Sequence, residues 1–141
     1  MKTLRQYIPA GTRHRLLFVA YRPEGIAYIN IGMQLARSIE PVLHDKHLSL
    51  IADEAIESII RNHVRHDADM GDYVAIQNIG ILFEPALHLD VHAKIDIWSK
   101  SYLLIVDCSE NAIINDHFYL ASSTGQHYSI DLSDISYTIL R

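Results

Sequence analysis

The run Tyr102-Leu103-Leu104-Ile105-Val106-Asp107 decides the fold class. It is apolar without alternation until its polar carboxyl end. A strand with one wet face alternates apolar and polar residues, so an unbroken run describes a strand covered on both faces. Leu16-Leu17-Phe18-Val19-Ala20-Tyr21 shows the same pattern near the start, and Tyr73-Val74-Ala75-Ile76-Gln77 shows it in the middle. Ile26-Ala27-Tyr28-Ile29-Asn30-Ile31 is a further strand candidate. Asp107 closes its run at the carboxyl end, where open α/β sheets place their chemistry.

Helical patterns lie between these runs. Leu48, Ile51, Ala52, Ala55, Ile56, Ile59, Ile60 and Val64 recur at steps of three and four, with Ser49 as N-cap candidate. Gly32 interrupts the second strand, and Met33 to Ile39 reads as a short helix stopped before Pro41. Pro85 is placed to open a helix to about Ile97, with Leu87, Val91, Ile95 and Trp98 on one side. After that come Ala112-Ile113-Ile114, Phe118-Tyr119-Leu120 and Tyr137-Thr138-Ile139-Leu140, short apolar runs separated by turn residues. The sequence therefore predicts one α/β domain over residues 1–141, three-layered, on a mostly parallel sheet of four or five core strands.

Composition narrows the function classes. The 141 residues include 12 Lys and Arg against 17 Asp and Glu, a formal charge of −5. That balance argues against a protein whose main task is gripping a nucleic-acid backbone. Arg13, His14, Arg15 and Arg22 are the one local basic cluster, and a charge run is usually a solvated face. The single cysteine, Cys108, excludes an intramolecular disulfide and a cysteine-based zinc site. It reads as a small buried hydrophobe rather than a nucleophile. The N-terminal residues lack a secretory apolar segment, and no apolar stretch approaches the roughly 20 residues that cross a bilayer. A cytoplasmic protein is the expectation.

Nine histidines are the unusual count. His63, His66, Asp67 and Asp69 form the most ligand-rich stretch. His63 and Asp67 are four apart and would share a helix face, giving two imidazoles and two carboxylates for Zn, Mn or Fe in a metal-dependent hydrolase. The plainer reading is a solvated helix end followed by a polar loop. His88 and His92 have the spacing of His-Glu-x-x-His, but Leu89 occupies the place of the general base. Phe83, Pro85, Leu87 and Trp98 are more large apolar groups than one short helix buries on one side. They mark an interaction surface, unless the strands after Ile113 cover them within the monomer.

The segment Val74-Ala75-Ile76-Gln77-Asn78-Ile79-Gly80-Ile81-Leu82-Phe83-Glu84-Pro85-Ala86-Leu87-His88-Leu89-Asp90 resembles the BrxF family, small P-loop proteins of type 3 BREX phage-defence systems and members of the AAA-like NTPases. That family shows an apolar strand, then Asp-Asn-Ile-Glu-x-Leu-Phe, then Asp-Pro-x-Leu-x-x-Asp. Ser99-Lys100 before the 102–106 run matches its Ser-Arg. Weaker likenesses lie at residues 28–37 and 118–128, so the resemblance covers most of 14–130.

The departures fall on the chemistry. A P-loop has the form Gly-x-x-x-x-Gly-Lys-Ser/Thr after the first strand: its amides cradle phosphate, its Lys neutralises it and its hydroxyl holds magnesium. Here that place is taken by Arg22, Pro23, Glu24 and Gly25, with no Lys and with a carboxylate that repels phosphate. Gln77 stands where the family has its magnesium-binding Asp, and Gly80 where it has the acid that polarises water. The helix that should follow the loop is absent, since Ile26 already opens the next strand. The resemblance therefore implies a degenerate P-loop NTPase core without catalysis or cofactor. Such a pseudo-NTPase serves as an assembly subunit of a defence complex, docking on itself or a larger protein. A metal-dependent hydrolase and a nucleic-acid adaptor on Arg13, Arg15 and Arg22 are the competing classes.

Overall fold

The continuous apolar runs become the inner strands of a parallel sheet. A computed structural model describes residues 13–20, 25–108, 112–121 and 127–140. The first strands are β1 (Leu16–Val19) and β2 (Tyr28–Asn30), followed by helices α1 (Ile31–Ile39) and α2 (Leu48–Asn62). Strands β3 (Arg65–Asp67) and β4 (Gly71–Gln77) form a tight hairpin. Helix α3 (Val91–Ser101) then leads into β5 (Leu103–Asp107). Three strands, β6 (Ala112–Ile114), β7 (His117–Ala121) and β8 (His127–Asp131), make a separate antiparallel sheet before β9 (Tyr137–Leu140).

The main sheet runs β2-β4-β5-β1-β9, with these five strands parallel and β3 antiparallel on β4. Crossovers between parallel strands are right-handed. The steps β2 to β4, β4 to β5 and β5 to β9 run in one direction across the sheet, which sends their connections to one face. On that face Leu16, Phe18, Val74, Ile76, Leu104 and Val106 pack with the buried residues of all three helices. The step β1 to β2 runs the opposite way and must cross the other face. There Leu17, Val19, Tyr73, Ala75, Leu103 and Ile105 are buried, and Ile26 of the connection and Tyr28 of β2 pack on them. Residues 20 and 25–27, the described part of this connection, are not helical. The α/β class and the mostly parallel sheet are as expected from the sequence. Among the described residues the helices occupy one layer only.

Several local expectations are corrected. Helix α1 begins two residues early, because Asn30 ends β2 and caps the helix, its Oδ1 accepting from the Met33 amide at 3.0 Å. Gly32 is thus helical and not a strand breaker. Helix α2 starts at Leu48 behind His47, so Ser49 is not its cap. No helix spans 85–97. Pro85 opens a 3-10 turn (Pro85–Leu87), His88 takes a left-handed conformation at φ 49°, and Asp90 caps α3 by accepting from the Ala93 amide. The strand 127–131 and the separateness of the β6–β8 sheet were not visible in the apolar pattern. No helix among the described residues is long and apolar enough to cross a membrane.

The small sheet is tied to the main one by aromatic rings and one phenol. Phe118 of β7 stacks on Phe18 of β1 at 5.4 Å, and the Tyr137 hydroxyl donates to Asp116 Oδ1 at 2.6 Å across to the β6–β7 turn. That hydrogen bond is the main reason the Tyr137 pKa is pushed up to about 12, with burial and the Asp116 charge adding to it. In an absorbance titration at alkaline pH, one phenol should ionise near 12 and disappear from the curve in Tyr137→Phe. Because the folded-state value is raised, the stabilisation is complete below the ordinary tyrosine value of about 10 and is lost as pH climbs from there through about 12. A Tyr137→Phe variant whose titration curve matches wild type would refute the assignment.

Candidate functional site

Ligands of open α/β sheets bind at the carboxyl ends of strands, where successive connections leave in opposite directions. In this sheet the reversal falls beside β1, whose own connection leads one way while β9 is added on its other side. The strand ends there are Val19, Asp107, Gln77 and Asn30. Val19 pairs with Asp107, and Asn30 with Gln77. Ile76 pairs with Val106, so Gln77 and Asp107 follow side by side. Gln77, expected from the resemblance at the nucleotide position, and Asp107, expected at the carboxyl end of its strand, do reach this edge. Gly80 lies just past it in a 3-10 turn (Ile79–Phe83), and Gly25 is an exposed turn residue at φ 81°. Arg22, Pro23 and Glu24 lie outside the described residues.

The polar chemistry of the edge is mostly amide. Asn78 adopts a left-handed conformation and donates from Nδ2 to Asn30 Oδ1 at 2.9 Å, so Asn30 holds both the start of α1 and the residue after β4. Gly32 makes room for this contact, since a Cβ there would lie 2.6 Å from the Asn78 carbonyl oxygen. Gln77 Oε1 is buried without a hydrogen-bond partner among the described residues. A carboxylate in its place would stand beside the buried Asp107, and two adjacent carboxylates resist joint ionisation unless a cation bridges them. The neutral amide removes that conflict and also the ligand that magnesium prefers. On the far side, the Cys108 thiol donates to the Val19 carbonyl at 3.3 Å and is buried, in keeping with a structural role. The Asn30–Gly32–Asn78 junction escaped the sequence reading. Its one signal was Asn30, a good N-cap residue directly before a helical run.

The metal candidates are not assembled. His63 ends α2, with Nδ1 at 2.7 Å from the Ile59 carbonyl, while Asp67 belongs to β3, so the two share no helix face. Asp67 Oδ1 accepts the amides of Asp69 and Met70 instead, and His66 pairs with Asp72 at 3.0 Å on the surface. Asp69 is exposed. Among the described residues no group of three or more His, Cys, Asp or Glu is placed to hold a metal ion. His88 and His92 are likewise separated, one before α3 and one within it, and His92 pairs with Asp134.

The basic cluster is dispersed as well. His14 is buried with Nε2 at 2.6 Å from Asp96, and the Arg15 guanidinium donates to the Met70 carbonyl. Arg13 is exposed. The apolar set expected to remain uncovered is largely internal. Leu87 and Trp98 are buried, and Trp98 Nε1 donates to Glu57, which also pairs with Lys94. Phe83 stacks on Phe118 and Tyr128 of the small sheet, leaving only Pro85 exposed. The small sheet covers Phe83 within the chain, while Leu87 lines an apolar groove beside α1 and Trp98 packs toward α2.

Comparisons with protein-family models, with curated proteins and with solved structures find no match to this chain.

Proposed function

We propose that this domain is a pseudo-NTPase: a degenerate P-loop, AAA-like core that does no chemistry and serves as a cytoplasmic assembly subunit. The resemblance to the BrxF family makes a bacterial phage-defence complex of BREX type the setting. Its partners are then proteins, a second copy or a larger component, rather than nucleic acid or membrane. The observation that carries the reading is the carboxyl edge of the sheet, where Gln77 stands next to Asp107 and the Asn30–Asn78 amide contact closes the neighbouring strand end. A phosphoryl-transfer site is positioning plus electrostatics, with a Lys on the phosphates and acids on magnesium. The sequence offers Glu24 where phosphate would need a cation and an amide where magnesium would need an acid.

Isothermal calorimetry with a non-hydrolysable ATP analogue and magnesium tests the reading. The expected result is no binding tighter than about 10 µM, equivalent to about 7 kcal/mol. Tighter, magnesium-dependent binding overturns it.

A further inference from the structure

The small sheet turns one face to the core and the other to solvent. Phe118 and Ile130 are buried on the inner face, so Ile114, His117, Tyr119, Ser129 and Asp131 belong to the outer one by strand alternation. Ile114 pairs with His117 and His117 with Asp131, which sets these three in one row across the sheet. Tyr119 pairs with Ser129 in the next row. Ile114 is 56% exposed and Tyr119 42%, and the Tyr119 ring stacks against the His117 ring at 6.1 Å. An apolar and aromatic patch open to water on a small domain commonly marks an interaction site.

The charge around the rings has one sign. Residues 101–140 contain five Asp and Glu and no Lys or Arg. The Ser133 amide donates to Asp131 Oδ1 at 2.9 Å and holds that carboxyl below the usual carboxylate range, so it is ionised at neutral pH. We infer that this outer face docks an arginine-bearing segment of a protein partner, which rests on the assembly role proposed above. Asp131 is the diagonal neighbour of Tyr119 across the β7–β8 pair, a separation of about 7–8 Å in such ladders. A guanidinium between them lies flat on the phenol ring and donates to the carboxylate from its edge. The other occupants fit the charge worse. A nucleic-acid backbone meets carboxylates with no cation to neutralise it. A second copy of the same face brings its own carboxylates and no Lys or Arg against them.

Fluorescence anisotropy of a labelled synthetic peptide alternating arginine and valine tests this on the full chain. At low salt the peptide should bind with a dissociation constant of about 100 µM or tighter. Tyr119→Ala should weaken binding by about threefold to fivefold, the effect of losing an exposed cation–π contact, while circular dichroism stays that of wild type. Tyr119→Phe keeps the ring and should bind as wild type does. Asp131→Asn should weaken binding comparably. Asp69→Asn changes the net charge equally but on the β3–β4 hairpin, and should leave binding unchanged. Absence of binding in this range overturns the inference. So does binding indifferent to Tyr119→Ala, an equal response to Asp69→Asn and Asp131→Asn, or a single-stranded RNA that takes this face in place of the peptide. Nucleotide calorimetry reports separately: tight ATP binding by a protein that still holds the peptide through Tyr119 would sink the pseudo-NTPase reading and leave this surface standing.

Discussion

Phe18→Ala is expected to lower the stability of the domain by about 3–5 kcal/mol, the usual cost of removing a buried aromatic ring. Phe18 is fully buried in β1, a central strand flanked by β5 and β9. Its ring stacks on Phe118 at 5.4 Å and meets the edge of Tyr137 at 5.9 Å. Phe118 in turn stacks with Phe83, so the ring sits where the main sheet, the small sheet and the segment after β4 converge. Ring pairs of this geometry add about 0.5–1.5 kcal/mol beyond the area they bury. Domains of this kind have about 5–15 kcal/mol in total, so the loss is a large share of it. Urea unfolding should show a lower midpoint with an unchanged slope. A loss under about 1 kcal/mol, well below the cavity range, would mean that the small sheet is not anchored through this ring.

Gly32→Ala should destabilise by about 1–3 kcal/mol, the cost of forcing an extra methyl into a filled space. Helix propensity alone says the opposite, since alanine is favoured over glycine by about 1 kcal/mol inside an open helix. The contact decides between them. The new Cβ would lie 2.4 Å from Asn78 Nδ2 and 2.6 Å from the Asn78 carbonyl oxygen. The amide can turn aside, but the backbone oxygen cannot without moving the residue that follows β4. Turning the amide would also break its bond to Asn30, the cap of α1. Thermal unfolding should therefore fall by several degrees. An increase, as in a solvent-exposed helix, would show that the Asn30–Asn78 junction is looser than its geometry.

The strands with uninterrupted apolar runs were legible because burial on both faces leaves no choice of residue. The runs in β1, β4 and β5, and the edge strand β9, all fall where the apolar pattern puts them. Helix α2 was legible for a related reason: its stripe is long enough to distinguish a period of 3.6 from one of 2. The segment 78–90 was not. Its apolar residues suit a helix, yet Asn78 and His88 take left-handed conformations and two 3-10 turns replace it. Such turns satisfy their backbone locally, and their side chains are chosen by what they pack against, here α1, α2 and the small sheet.

The candidate site divides along the same line. Chain order and residue type by themselves determined that residues 22–25 include no Lys and that position 77 is an amide and not an acid, because a missing functional group needs no coordinates to be missing. Only the tertiary structure decided which groups meet. It set Gln77 beside Asp107, joined Asn30 to Asn78 across 48 positions and separated His63 from Asp67 across only four. It also enclosed Leu87 and Trp98 and left Met33 and Leu43 at the surface, although all four are equally apolar to a reader of the chain. The physical reason is that burial is a property of packing between elements far apart in sequence. Local pattern fixes which side of a helix is apolar, not whether a partner from the same chain arrives to cover it.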